Sequence, residues 1–253
     1  MRSTRYSSCF LFFLAGLAFV FPACGGGLRR PAVSDADSEL NYCMQLSTKK
    51  KYEEAVECLE IYKSRHRADN RAADADLLIA DSYFRQKEYL LAAETYKQFL
   101  ERYPAHPKAD YAYYKSGLAY LEDTPKAIDR DQQYLDAAVQ NFAIVPKYFS
   151  GSPYARLAEQ KYAEARAKQA RRHFYVARFY YKYGEYKASI PRFVAIIDQF
   201  PGLGLDEKSF YYLTLSCVKT NQMDKARQVV SAFEERYPQS PWLKKAKGQI
   251  KGT

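Results

Sequence analysis

From residue 35 onward, apolar positions recur every three or four residues, and a small residue in each stretch keeps a fixed distance to a larger apolar one. Ala92, Ser189 and Ala226 each stand 12 residues before a proline (Pro104, Pro201, Pro238), and an anchor follows four residues later at Tyr96, Phe193 and Val230. "LERYPAHP" (100–107) and "EERYPQSP" (234–241) are near copies, with "DQFPG" (198–202) a weaker third. Ala55 with Leu59, and Ala138 with Phe142, keep the spacing without the proline. Twelve residues upstream of Ala55, Ala92, Ser189 and Ala226 lie Cys43, Ala80, Ala177 and Thr214, each followed three positions later by Leu46, Tyr83, Tyr180 or Cys217. Gly117 and Tyr120 hold that relation in the third stretch. Such periodicity predicts amphipathic helices. Small residues at fixed points let two antiparallel helices approach closely, and the proline ends the second helix of each pair. The pattern therefore predicts an all-α domain over 35–253. Its five helix-turn-helix units cover about 35–69, 70–106, 107–152, 153–203 and 204–240, with a C-terminal helix after them.

The spacing resembles the tetratricopeptide repeat, whose pattern is Gly-x2-Tyr, then Ala-x3-Phe, then Pro; the resemblance implies a superhelix. Two departures from the repeat stand out. Tyr120 and Ala138 are nine residues further apart than the equivalent pairs, so "EDTPKAIDRDQQ" (122–133) projects as a loop. Ala138 and Ala177 are separated by 14 residues more than the 25 of the other units, close to four helical turns. No Gly or Pro occurs from Tyr154 to Tyr183, which predicts one long helix in the fourth unit.

In arrays of this type the first helix of each unit lines the concave face, through positions three before, one after and four after the small residue. The resemblance thus implies a groove at Leu40, Met44 and Ser47; Leu77, Asp81 and Phe84; and Tyr114, Leu118 and Leu121. Further on it implies Phe174, Arg178 and Tyr181, then Tyr211, Leu215 and Val218. These residues are apolar and aromatic with few charges, which suits an extended peptide carrying aromatic side chains. For any one of them the alternative is packing against a neighbouring hairpin.

The N-terminus has a different pattern. An unbroken apolar run from Cys9 to Phe21 follows Arg2 and Arg5 and ends in small residues. Cys9 to Ala23 is fifteen residues, short of the roughly 20 that span a bilayer, and the layout is that of a secretory signal. Phe21-Pro22-Ala23-Cys24 resembles a bacterial lipobox, in which the cysteine is lipidated and becomes the new N-terminus. The expectation is a signal peptide over 1–23, lipidation at Cys24, and a flexible tether over 24–34 that begins with three glycines. Plain secretion is the alternative.

Composition changes this picture only in detail. The formal charge of +10 falls to +8 without Arg2 and Arg5, favouring an anionic membrane surface or an acidic partner. Beyond Cys24 only Cys43, Cys58 and Cys217 remain, an odd number without C-x-x-C spacing; they read as small buried residues rather than a disulfide framework. His66, His106 and His173 are isolated, and no metal-protease, nucleophile-elbow or phosphate-loop spacing occurs, so no catalytic residue, metal or cofactor is expected. Gly202-x-Gly204 reads as a turn between units. "RAKQARRHFYVARFYYKYGEYK" (166–187) is basic with interleaved aromatics, but Tyr180 falls at a packing position, and nucleic acid is not the expected partner.

"YPAHPKADYAYYKSGLAY" (103–120) resembles the Pro-x-His-Pro, Asp-Tyr and Tyr-x-x-Gly-Leu segment of the BamD family, and "DRDQQYLDAAVQNF" (129–142) resembles its Asp-Arg-Asp motif. The family comprises tetratricopeptide lipoproteins of the outer-membrane β-barrel assembly machinery. The resemblance covers nearly all of the mature chain. It implies a non-enzymatic subunit, lipid-anchored on the periplasmic side of the outer membrane. It further implies N-terminal units that contact unfolded outer-membrane proteins and C-terminal units that dock on POTRA domains of the barrel subunit, beside other assembly lipoproteins. Arg192, three residues after Ser189, matches an arginine that contacts a POTRA domain; after Pro191 its helix is expected to begin near Ser189. A periplasmic tetratricopeptide scaffold lipoprotein of cell division or peptidoglycan coordination is the rival reading.

Overall fold

The structure, a computed structural model, describes residues 35–251. The expected signal peptide, Cys24 and the tether lie outside the described residues. Among the described residues the chain forms eleven helices. They are α1 (Ala36–Thr48), α2 (Tyr52–Arg65), α3 (Ala72–Gln86), α4 (Tyr89–Arg102), α5 (Ala109–Asp123), α6 (Tyr134–Tyr148), α7 (Ala155–Lys182), α8 (Tyr186–Gln199), α9 (Asp206–Lys219), α10 (Met223–Arg236) and α11 (Pro241–Lys251). Each helix packs on the next, and α11 closes the array against α9 and α10. This is the tetratricopeptide superhelix with its long helix, α7, in the fourth unit.

The register of small residues explains the hairpins. Cys43, Ala80, Ala177 and Thr214 are wholly buried where paired helices meet. At Gly117 even a methyl group would not fit, because a Cβ there would lie 2.8 Å from the ring of fully buried Phe142. Seven residues beyond each of the first four comes a residue with positive φ: Lys50 (62°), Lys87 (67°), Gly184 (82°) and Asn221 (57°). A short turn between antiparallel helices needs one left-handed residue, which glycine and asparagine adopt readily and lysine does not. The third unit lacks this turn. Seven residues after Gly117 stands Thr124, with φ −66°, and the chain leaves α5 into the loop 124–133. Downstream, α4, α8 and α10 each stop two residues before Pro104, Pro201 or Pro238, as the pre-proline restriction requires.

Burial divides into three clusters. One joins the first hairpin to α3, a second runs from α3 to the first half of α7, and a third runs from the end of α7 to α11. Ala158 and Ala165 of α7 belong to the second cluster and Ala177 to the third, so this 28-residue helix joins two cores. Between them α7 also makes two polar contacts that reach α6 and the loop before it. Buried Gln169 donates to Asp136, and Arg172 Nη1 donates to the Ile128 carbonyl of the loop at 2.7 Å.

One expectation is corrected here. Cys43 and Cys58 are joined in a disulfide across the first hairpin, with Cα atoms 5.5 Å apart, while Cys217 is free and buried. The close approach that makes position 43 a small site also brings its Cβ opposite α2. Cys58, three residues after Ala55, faces inward there. An odd cysteine count excludes a complete framework, not a single pair.

Candidate functional site

The first helices of four successive units enclose a groove of about 490 Å³. Leu40 and Met44 of α1 form one wall, Leu77 and Leu78 of α3 the floor, and Tyr111 of α5 with Tyr154 at the head of α7 the far side. Leu40 and Leu77 are buried, whereas Met44 is 42% exposed and offers its thioether to an occupant. Every carboxylate of the groove already has a partner. Asp74 takes an ion pair from Lys108 at 2.6 Å, and Asp110 accepts from the Ser152 hydroxyl at 2.6 Å. Asp81 Oδ1 accepts from both the Tyr96 and Tyr111 hydroxyls, the latter at 2.5 Å.

Burial, followed by the nearby Asp81 charge, pushes both phenols far above the ordinary tyrosine range, so they stay neutral donors. Lys115 reaches toward Asp81 at 3.9 Å and lies 3.8 Å above the Phe84 ring; burial lowers its pKa. The result is a cleft whose carboxylates are satisfied and whose surface is mostly apolar.

Of the expected groove residues, Leu40, Met44, Leu77 and Asp81 come together here. The others stand apart. Phe84 lies one helical turn beyond, beneath Lys115 and edge-on to Tyr89. Tyr114 stacks on Tyr154 at 5.4 Å behind the groove wall, Leu118 packs on the middle core, and Leu121 is buried. The Ser47 hydroxyl is buried without a hydrogen-bond partner among the described residues. Asp74 and Tyr111 were not expected. Both lie six residues before their unit's small residue, a helical turn upstream of the positions considered, so a −6 rule would have found them.

A second groove, of about 470 Å³, follows the C-terminal half of α7. Phe174 and Arg178 line it, together with Tyr175, Phe179 and Tyr183, and Ile128 of the loop 124–133 and Leu205 before α9 complete it. Tyr181 and Tyr211 instead pack on Tyr212, Leu215 is buried, and Val218 packs against the C-terminal core.

Arg192 lies on neither groove. Its Nη1 donates to the Ala188 carbonyl at 2.7 Å, and its guanidinium lies 4.0 Å over the Tyr180 ring. The expected helix start at Ser189 is corrected: α8 begins at Tyr186, and the Ser189 N–H already donates to the Glu185 carbonyl. Pro191 therefore sits in the second turn, exposed, where its missing N–H removes a single intrahelical bond.

Among the described residues no group of three or more His, Cys, Asp or Glu could hold a metal ion, and no helix is long and apolar enough to cross a membrane. A family described as outer membrane lipoprotein (YfiO) matches residues 41–214. The chain is 28% identical over 219 residues to the outer membrane protein assembly factor BamD of Neisseria gonorrhoeae, covering 83% of this chain and 79% of that protein. To BamD of Rickettsia prowazekii it is 27% identical, covering 81% and 82%. Among solved structures, the TPR2AB-domain:pHSP90 complex of yeast Sti1 is similar at 15% identity and a TM-score of 0.41, over 85% of this chain and 82% of that one. That likeness is too distant to add to the fold described above.

Proposed function

The chain belongs to the outer membrane lipoprotein family YfiO, and from that premise we propose that it is a non-enzymatic subunit of outer-membrane β-barrel assembly. In this reading Cys24 carries the lipid that holds the protein on the periplasmic face of the outer membrane. The N-terminal groove receives unfolded outer-membrane proteins, and the C-terminal units dock on POTRA domains of the barrel subunit, with Arg192 at the contact. Support comes from the BamD relatives, named outer membrane protein assembly factors.

The observation that carries the substrate-binding reading is the apolar cleft between α1, α3, α5 and α7, whose carboxylates are already satisfied. An extended chain entering it buries side chains against Met44, Leu78 and Tyr111 without stranding a charge. Arg192 suits a docking contact because Tyr180 holds its guanidinium plane while only Nη1 is committed to Ala188. The remaining N–H groups can meet a carboxylate in parallel.

Peptides from the C-terminal strands of outer-membrane barrels test the first part. They are expected to bind with modest affinity, because ordering an unfolded ligand costs entropy. Met44→Asp combined with Leu78→Asp should weaken binding about tenfold or more. Equal binding by parent and variant would remove the groove from the reading. For docking, Arg192→Glu should weaken capture of the barrel subunit from membranes, and a compensating acidic-to-basic change on the POTRA side should restore it.

A further inference from the structure

We propose that the groove along the C-terminal half of α7 is a second docking site, built for an extended acidic segment of a partner protein that alternates carboxylates with apolar or aromatic side chains. Tyr175, Phe179 and Tyr183 follow one another at intervals of four residues, which aligns them as a single stripe on α7. They are 40%, 48% and 65% exposed, three of the most exposed large apolar side chains among the described residues. Exposed aromatic surface in a folded domain marks a place where something binds.

The charges of this groove have one sign. Arg171, Arg178 and Lys182 line it, and no carboxylate does. Among the described residues none of the three forms an ion pair; Arg178 lies 5.5 Å over the Tyr212 ring and Lys182 6.0 Å over the Tyr183 ring. Asp129 and Asp131 of the neighbouring loop are exposed but do not line the groove. The C-terminal end of α7 carries a partial negative charge of about half an elementary charge, which the three cations of the groove outweigh. Charge complementarity therefore asks for carboxylates from outside.

Shape distinguishes a chain from a membrane surface. Ile128 and Leu205 come from separate elements, the loop 124–133 and the segment before α9, and α7 runs between them. The loop is tied down by the Arg172 bond to the Ile128 carbonyl. A flat bilayer does not enter such a channel. An extended chain does, and it presents same-side residues every ~6.8 Å, close to the ~6 Å rise from Arg178 to Lys182.

The full-length protein can be tested with a fluorescent twelve-residue peptide that alternates glutamate with phenylalanine and leucine, its glutamine counterpart, and phosphatidylglycerol vesicles. The glutamate peptide should bind with an affinity that falls as salt rises, and the glutamine peptide should bind about tenfold more weakly. Arg171→Glu with Arg178→Glu, and separately Phe179→Ala, should each weaken the glutamate peptide about tenfold. These side chains are exposed, so thermal unfolding should be unchanged. Equal binding of the two peptides, or variants that bind like the parent, would overturn the proposal. Capture by the vesicles through these residues, without peptide binding, would overturn it in favour of a lipid surface.

Discussion

The two grooves differ less in size than in what has been done with their charges. In the N-terminal groove Asp74, Asp81 and Asp110 are each bound by a neighbour from another helix or from a loop between helices. In the C-terminal groove Arg171, Arg178 and Lys182 form no ion pair among the described residues, no carboxylate lines the groove, and aromatic rings remain in water beside them. A satisfied cleft asks little of its occupant beyond apolar side chains, which suits many sequences. A cationic, aromatic channel asks for specific chemistry and so favours a particular partner. The hairpins beneath differ as well: the first is covalently closed, whereas Cys217 in the C-terminal half stays a free, buried thiol.

Alkaline pH should strain both halves and the N-terminal one more strongly, since burial also raises the Tyr181 and Tyr237 phenols of the C-terminal half. Burial, with hydrogen bonds to carboxylates, raises the Tyr62 phenol to about 12 and those of Tyr96, Tyr111 and Tyr120 further. A group whose folded pKa is raised contributes stability that is complete below the unfolded value, here 10, and is lost as pH rises through the folded value. Lys115, lowered by burial, works the other way between its folded pKa and 10.5, but it is one group against four. Tyrosinate absorbance should therefore rise in step with loss of the N-terminal groove above about pH 10. Ionisation of these four tyrosines with the fold intact would break the comparison.

Next in size is the disulfide. Replacing Cys43 and Cys58 with alanine should cost about 3 kcal/mol in urea unfolding, the chain-entropy value for a loop of about 15 residues. Peptide binding to the N-terminal groove should fall too, since Leu40 and Met44 flank Cys43 on α1. The C-terminal groove should be unaffected, and equal losses in both would show that the halves are not independent.

The same substitution should act with opposite sign at two glycines. Gly117→Ala drives a methyl group to 2.8 Å from the Phe142 ring, at a cost of about 1–3 kcal/mol. Gly248→Ala, in α11 with nothing within 4 Å, should stabilise by about 0.5–1 kcal/mol through helix propensity. The turns should show effects of similar size. Lys87→Gly should gain, and Gly184→Ala lose, about 1 kcal/mol, because each turn needs positive φ. Thermal unfolding would show both, and a loss at Lys87 would mean that its side chain stabilises the turn by another route.

Much of the array was legible because small-residue spacing follows from helix contact. Helix pairing, the long α7 and the break after Gly117 follow from counting positions between Tyr120, Ala138 and Ala177. Of the residues named for the groove, Leu40, Met44, Leu77 and Asp81, each three before or one after a small residue, line the same cleft. Phe84 and Tyr114 stand outside that cleft, beside neighbours, Lys115 and Tyr154, that belong to the following unit. The disulfide was missed for a related reason. Cys43 satisfied the small-residue rule by itself, and its pairing with Cys58 appears only when α1 and α2 are laid against each other.

By itself, then, the sequence determined the period, the hairpins and the faces that turn inward, since these depend on side-chain size and residues close along the chain. The tertiary structure decided the electrostatic character of the grooves. Lys108 reaches Asp74 across 34 residues and Ser152 reaches Asp110 across 42, while Arg172 fixes the loop at Ile128 across 44. Such meetings depend on how successive hairpins stack, and small rotations between units, summed along the superhelix, decide which charges are neutralised and which are left for a partner.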